Sequence, residues 1–329
     1  MKTPMNVAHK KFPRPLPPRS VSSAVEIPRN VDRAELQLDG RLVRLTNLRK
    51  LFWPAIGVTK GDLLRYYLAV APVLLPHLLD RAMVMKRYPD GAEGKFFFMK
   101  RAPSPRPDWL HTCRIKHSSG NIIDFPVIQD LASLLWVVNL GCIDLNPWYA
   151  RCDDVHRPDY LHFDLDPVQG TPLKKVLQTA LYLREALQKL KISSLVKTTG
   201  SRGLHVYVPI VRGPTQKDVW TFSKTLAQSL ASRYPRLVTV EYRVKKRPAG
   251  HVLVDYNQNA WGRTLASVYS VRPQPQAPVS MPVSWEEVED GFRLENFRID
   301  NGPSRIRRLG DLWKPLLSNR ARVDVEQFL

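Results

Sequence analysis

The stretch LHFDLDP at residues 161–167 restricts this chain more than any other part of it. Its alternation has the period of a β-strand. His162, Asp164 and Asp166 face one way, and Leu161, Phe163 and Leu165 face the other. The apolar face belongs against a core. The opposite face carries two carboxylates two residues apart, which repel each other and are costly to bury without a partner. A cationic group is therefore expected between them, and Pro167 breaks the strand.

A chain of 329 residues can bury a large core as one big domain or two smaller ones. With 43% hydrophobic and 24% charged residues it has a globular composition, not a disordered one. No apolar run reaches the roughly 18 residues of a membrane span. The longest candidate, YYLAVAPVLLPHLL, holds two prolines and a histidine. The first residues lack the apolar segment of a secretory signal, and their prolines argue against an amphipathic transit helix. Cys113, Cys142 and Cys152 are too few and too irregular for a disulfide framework, so a cytoplasmic protein is expected. Fifty Lys and Arg against 30 Asp and Glu give a formal charge of +20, which points to a polyanionic partner and says nothing about catalysis.

Along the chain, residues 1–30 are Pro-rich and basic and read as a flexible tail. AELQLDGRLVRLTNL reads as a strand pair turning at Asp39-Gly40, and TKGDLLRYYLAVAPVLLPHL as a helix capped by Thr59. QDLASLLWVVNLG reads as a buried helix stopped by Gly141. TPLKKVLQTALYLREALQKLK reads as an amphipathic helix with Thr171 and Pro172 as N-cap and first residue. SLVKTTGSRGLHVYVPI is strand, glycine-bearing turn, strand; DVWTFSKTLAQSLASRYP is a helix and HVLVDYNQN a strand. The final residues, 301–329, look basic and helical and are expected to pack on the domain formed by residues 31–300. The alternation indicates an α+β fold with mixed or antiparallel sheets flanked by helices.

Three segments combine polar groups with strand-like apolar settings: HFDLDP, TTGSRGLHVYV at 198–208, and VLVDYNQN at 252–259. Asp164, Asp166 and Asp255 could supply carboxylate oxygens to hard divalent cations. The turn at Gly200 and Gly203 can offer backbone N–H groups to phosphates, with Thr199, Arg202 and His205 beside it. Each piece also has a plain explanation. A lone D-x-D before proline usually makes a turn, TTGSRG a hairpin, and a single histidine a hydrogen-bonded core residue. His111, Cys113 and His117 in HTCRIKH have the spacing of half a zinc site, with no nearby pair to complete it.

The order of these segments, with LTNLRKLFWP, TKGDLLRYY, KRYPDG, PDYLHFDLDP, VDYNQNAWGRTLASVYSVRP and VSMPVSWEEV, resembles the archaeo-eukaryotic primase superfamily. Specifically, it resembles the polymerase domain of bacterial ligase D and its stand-alone relatives, over about residues 40–300. The resemblance implies a primase-polymerase catalytic core. It assigns Asp164, Asp166 and Asp255 to two ions, Mn²⁺ or Mg²⁺, with Asp255 also helping to activate the primer 3′-hydroxyl. It assigns Thr199, Arg202, His205 and Arg272 to the incoming triphosphate, and Lys86 to the nucleotide. Phe98 would stack on the incoming base and Phe97 would wedge against the template; Asn47, Lys50 and Lys60 would grip a 5′-phosphate across a gap.

Departures from the family pattern carry information. Asn146 stands where ligase D polymerases have a histidine, so hydrogen bonding is kept and charge is not, which bears on nucleotide affinity or sugar selection. Thr199 replaces a serine, and Gln274 sits where some members carry a second arginine. No K-x-D-G adenylation motif occurs, so a separate DNA ligase is the expected partner. The resemblance implies a monomeric, template-directed nucleotidyltransferase that extends primers across gaps or aligned breaks in bacterial DNA. It would favour ribonucleotides over deoxyribonucleotides, with a Ku-type end-binding protein as a further partner at the nucleoid. Rival readings are a D-x-D nuclease or glycosyltransferase, a non-catalytic DNA end-binding module, and, within the same class, a dedicated primase.

Overall fold

The computed structural model describes residues 25–117 and 119–329. At its centre lies a six-stranded sheet in the order Val238–Thr239, Val252–Asp255, Tyr160–Pro167, Leu204–Pro209, Leu195–Thr198, Pro282–Val283. Every pairing is antiparallel except that of Val238–Thr239 with Val252–Asp255. The LHFDLDP segment is thus an interior strand. Its odd-numbered residues Leu161, Phe163 and Leu165 are fully buried in the main core, on the face covered by helices Leu173–Lys189 and Gln216–Arg233.

A second sheet orders Phe97–Met99, Met83–Arg87 and Cys142–Pro147, all antiparallel, beside helices Lys60–Leu78 and Leu131–Asn139. Thr59 caps the first of these helices in a reciprocal box with Asp62, and the helix runs on through Pro72 and Pro76. Among the described residues, no helix is long and apolar enough to cross a membrane. Thr171 does not cap the helix that follows it. Pro172 takes the N-cap position without a side-chain bond, and the Thr171 hydroxyl donates instead to the carbonyl of His251 at 3.3 Å.

The two sheets are joined by a buried ion pair. Arg81 donates two bonds to Asp159, at 2.7 and 2.8 Å, and one to the carbonyl of Tyr149; Arg151 adds a bond to Asp159 at 2.9 Å. Asp159 immediately precedes the acidic strand, so this pair fixes where that strand enters the sheet. Asn259 fixes its middle: its amide donates to the carbonyl of His162 at 2.7 Å and accepts from the His162 N–H at 3.1 Å. Those bonds replace the ladder where the Val252–Asp255 strand has ended.

The ends of the chain differ from the sequence expectation. Residues 1–24 of the expected tail lie outside the described residues, but Ile27 is part of the main core. In the C-terminal stretch only Gly302–Leu309 is α-helical; beyond it come short 3-10 turns. Trp313, Leu316 and Val325 nevertheless enter the same core, and Asp311 accepts from the Tyr269 hydroxyl at 2.6 Å.

Candidate active site

Strand register builds the site. Asp164 lies directly opposite Asp255 on one side and His205 on the other, and His205 lies opposite Lys197. One rung of the sheet therefore reads Asp255, Asp164, His205, Lys197. Asp166 follows two residues along the same face. Period-2 geometry brings side chains from four strands into one polar row although the opposite face is pure core.

Asp164, Asp166, Asn146, Thr199, Arg202, His205 and Arg272 line one open cleft of roughly 300 Å³, together with Ser201, Gly203 and residues 264–266. Close packing shapes its floor. A β-carbon at Gly203 would lie 2.2 Å from the carbonyl oxygen of Leu165, between the two aspartates, so only glycine lets the turn approach the acidic strand. Gly200 has φ +66°, and a side chain there would strike Arg272 Cγ at 2.5 Å. The Thr199 hydroxyl oxygen accepts from the N–H groups of Ser201 and Gly203, at 3.1 and 3.2 Å, which holds the turn in shape. Arg272 is anchored by donating to the Thr199 carbonyl at 2.9 Å.

The cation that the paired carboxylates require is arginine. Arg247 donates to Asp166 at 3.1 Å, and Arg202 lies 3.8 Å from its other oxygen. Asp255 accepts from the Asn257 N–H at 2.8 Å and from the Gln258 amide at 2.9 Å. Among the described residues, no three His, Cys, Asp or Glu side chains are drawn together into a ready chelate. The carboxylates are adjacent, but Asp166 and Asp255 are engaged with protein donors, while among the described residues Asp164 has only His205 Nε2 nearby, at 3.4 Å.

The electrostatics fit a divalent cation. Burial pushes the Asp164 carboxyl up to about 6, against the pull of Lys197, Arg272 and Arg247. Burial likewise raises Asp166, with the Asp164 charge adding to it, and raises Asp255 despite the Gln258 bond. Three buried or half-buried carboxylates that resist ionisation would be stabilised by a hard cation more than by the guanidinium groups of Arg247 and Arg202. On the same rung, burial holds both Lys197 and His205 well below their usual ranges. His205 Nε2 lies 3.4 Å from Asp164 Oδ1.

The second sheet flanks the cleft. Lys86 pairs with Phe98 on one side and Asp144 on the other. Its Nζ lies 4.1 Å from the Phe96 ring centre and 5.7 Å from that of Phe98, which is 60% exposed. Phe97 points to the other face, with the Arg87 guanidinium 5.3 Å from its ring. Asp144 is buried 4.0 Å from Lys86 Nζ and 3.4 Å from Arg272 Nε, so one carboxylate faces both cations. The Asn146 amide donates to the Asp144 carbonyl at 3.1 Å.

Asn47, Lys50 and Lys60 form a separate cluster, outside the residues that line the cleft. Asn47 sits in the left-handed region at φ +55°, and the Lys60 N–H donates to the carbonyl of Lys50. Lys50 Nζ donates to Asp90 at 3.1 Å. Lys60 donates to the Thr46 carbonyl, and burial lowers its ammonium to about 8. The residues of the HTCRIKH segment do not form a metal group; Cys113 is buried in a small satellite core with Phe125 and Trp148.

Sequence reasoning missed Lys197, Asp144 and Arg247. The first two are charged residues inside apolar strand runs, LVKT and CIDLNP, and that mismatch was a readable signal. Arg247 sits in the basic run RVKKR, where nothing separates it from its neighbours.

A glycine turn packed on a D-x-D strand within an antiparallel sheet, beside an aromatic-bearing second sheet, is the architecture of a primase-polymerase. The family model for the LigD primase-polymerase domain matches residues 59–313. The chain belongs to this family, and it is a nucleotidyltransferase of the primase-polymerase type. It is 33% identical over 276 residues to the multifunctional non-homologous end joining protein LigD of Mycolicibacterium smegmatis, covering 83% of this chain and 36% of that protein. With the bifunctional LigD of Bacillus subtilis it shares 29% identity over 269 residues, 82% of this chain and 43% of the other. The chain thus spans well under half the length of these relatives. Its structure matches the polymerase domain of Mycobacterium tuberculosis ligase D, solved in complex with DNA, with a TM-score of 0.79 and 30% identity, over 84% of this chain and 98% of that one. Membership in the family sets aside the nuclease, glycosyltransferase and non-catalytic readings.

Proposed function

We propose that this chain extends a primer strand across short gaps and aligned breaks in duplex DNA, copying a template and favouring ribonucleotides. The observation that carries the reading is the rung of Asp255, Asp164 and His205 at the edge of a cleft that also holds Thr199, Arg202 and Arg272. Acidic groups adjoin an open space lined by polar donors.

In this reading Asp164, Asp166 and Asp255 hold two divalent cations, Mn²⁺ or Mg²⁺. When bound, the cations lower the pKa of the attacking hydroxyl and offset charge on the phosphates. Arg202, Arg272 and the N–H groups of the glycine turn bind the triphosphate and orient its α-phosphorus. The primer 3′-oxygen forms the new bond to that phosphorus as pyrophosphate leaves, and Asp255 receives the hydroxyl proton. Phe98 offers a sequence-tolerant face to the incoming base and Phe97 one to the template. Asn146 meets the nucleotide as a neutral amide.

Asn47, Lys50 and Lys60 receive the 5′-phosphate on the far side of the gap. A Ku-type end-binding protein and a separate DNA ligase would complete the repair of a break. The decisive experiment is primer extension on a gapped duplex, with and without the 5′-phosphate, with rNTPs against dNTPs and with Mn²⁺ against Mg²⁺. Extension that is faster with rNTPs and with the phosphate, and absent in Asp164→Ala, supports the reading. Material that never lengthens an annealed primer under Mn²⁺ overturns it.

A further inference from the structure

The most unusual side chain outside the assigned set is Lys197. It is wholly buried in an interior strand, yet it is not paired with a carboxylate. Its Nζ has three close partners: the Ser280 hydroxyl oxygen at 2.6 Å, His205 Nδ1 at 2.7 Å and the Ala266 carbonyl at 3.0 Å. A carbonyl only accepts. The Ser280 hydroxyl spends its own proton on the Thr198 carbonyl at 2.8 Å, so toward Lys197 its oxygen accepts as well. Burial opposes the charge on Lys197. His205 Nε2, however, faces Asp164 Oδ1 at 3.4 Å, which favours the ring proton there and leaves Nδ1 an acceptor. Three acceptors around Nζ then call for the three protons of an ammonium, which has no lone pair. Two of them are committed, and the third points at Nδ1.

We propose that Lys197 is a positioning residue for nucleotide binding: by donating to His205 Nδ1 it holds the imidazole as the Nε2–H tautomer, with that N–H presented to the triphosphate. The assignment rests on the reading of the cleft as the triphosphate site. Phosphate oxygens accept hydrogen bonds and donate none at neutral pH, so only the Nε2–H form of His205 attracts them. With the opposite tautomer a bare Nε2 would face both the phosphates and Asp164 Oδ1, 3.4 Å away. The geometry favours the donor form, because Nε2–H then has an acceptor on the cleft side whether or not nucleotide is present. Register makes the arrangement rigid: Lys197 and His205 are direct partners on adjacent strands, so neither can rotate away without breaking the rung.

The test is the ¹⁵N–¹H correlation spectrum of histidine-labelled full-length protein, with His205 assigned by its loss in His205→Gln. The expected result is a neutral ring protonated at Nε2. In Lys197→Met the ring should shift toward Nδ1–H, and the Kd for ATP should rise about tenfold, as for a lost hydrogen bond to a charged group. Ser280→Ala removes a different acceptor of the same ammonium and should keep the Nε2–H signature, which separates positioning from general packing. A wild-type ring protonated at Nδ1 overturns the proposal even if Lys197→Met fails to fold; so does a folded Lys197→Met with unchanged tautomer and ATP affinity. If instead His205→Gln leaves ATP affinity unchanged, it is the reading of the cleft that fails, while the tautomer measurement still stands.

Discussion

Asp164 and Asp255 are direct register partners on adjacent antiparallel strands, so two carboxylates project side by side from the same face of the sheet. Like charges placed opposite each other weaken a sheet. The strands accept this cost because the opposite face, with Leu165 and Val254 fully buried, anchors them in the core. Metal-free protein should therefore be held below its potential stability by its own active site. Asp255→Asn is expected to abolish primer extension, by at least roughly 10³-fold, while matching or exceeding wild-type Tm in EDTA. The sign of the pH effect follows from Asp164, whose folded value of about 6 exceeds the ordinary 3.8. Its stabilising contribution is complete below about 3.8 and is lost as pH rises through about 6, so the advantage of Asp255→Asn should appear above pH 6. Mn²⁺ should raise wild-type Tm, by about 2.7 kcal/mol in stability at a hundredfold excess over Kd, and should leave Asp255→Asn nearly unmoved. Thermal melts across pH, with and without metal, check all three.

If Asn47, Lys50 and Lys60 receive the 5′-phosphate as proposed, Lys60 gives that cluster a pH signature. Its ammonium is lowered to about 8, chiefly by burial, so it is charged at pH 7 and loses its proton as pH passes 8. Preference for 5′-phosphorylated gaps should fall between pH 7 and 9 more steeply than extension on a substrate lacking the phosphate. Replacing Lys50 and Lys60 together by alanine should remove the preference and leave simple primer extension mostly intact. An equal loss on both substrates would count against the cluster's role.

How far the sequence could be read follows the distances over which its signals act. The strand LHFDLDP, the Thr59 cap and the turn between residues 198 and 204 are set by neighbours along the chain, and period and capping rules found them. The rung that joins Asp255 to Lys197 is a matter of register between four strands, which no local pattern encodes. The apolar run VLVD marked Asp255 and family resemblance supplied Arg272; neither singled out Lys197 or Asp144, whose partners come from other strands and the loops beyond them. The C-terminal stretch misled because its basic, apolar pattern suits a helix, whereas prolines and Gly310 confine the α-helix to Gly302–Leu309. Trp313 is still drawn into the core by burial alone.

The Arg81–Asp159 pair is the joint between the two sheets, and its removal should be felt throughout. Both side chains are nearly inaccessible, so Arg81→Ala would leave Asp159 buried with less than its full set of donors. A cost of about 3–5 kcal/mol is expected, read as a fall in the urea midpoint. The two arginines hold the Asp159 carboxyl at about 2 although burial opposes them. A depressed carboxylate contributes stability above its ordinary value of 3.8 and loses it as pH falls toward 2. Wild type should thus show a steep acid transition in that window, and Asp159→Asn should flatten it.

Gly203 offers a way to move the acidic strand without touching a charged group. A β-carbon there would sit 2.2 Å from the Leu165 carbonyl, and the backbone between Asp164 and Asp166 cannot give way without shifting both. Gly203 is not at a positive φ, so the effect of Gly203→Ala is steric and not conformational. Gly170 supplies the converse: φ is +82° and nothing lies within 4 Å, so Gly170→Ala meets strain alone, about 1 kcal/mol. Gly203→Ala should cost about 1–3 kcal/mol and reduce extension far more than that loss of stability explains, because the two aspartates and the phosphate turn separate. Gly170→Ala should keep its extension rate. Equal extension rates for the two variants, measured well below both melting temperatures, would mean that the contact between the turn and the acidic strand does not set the geometry of the reaction.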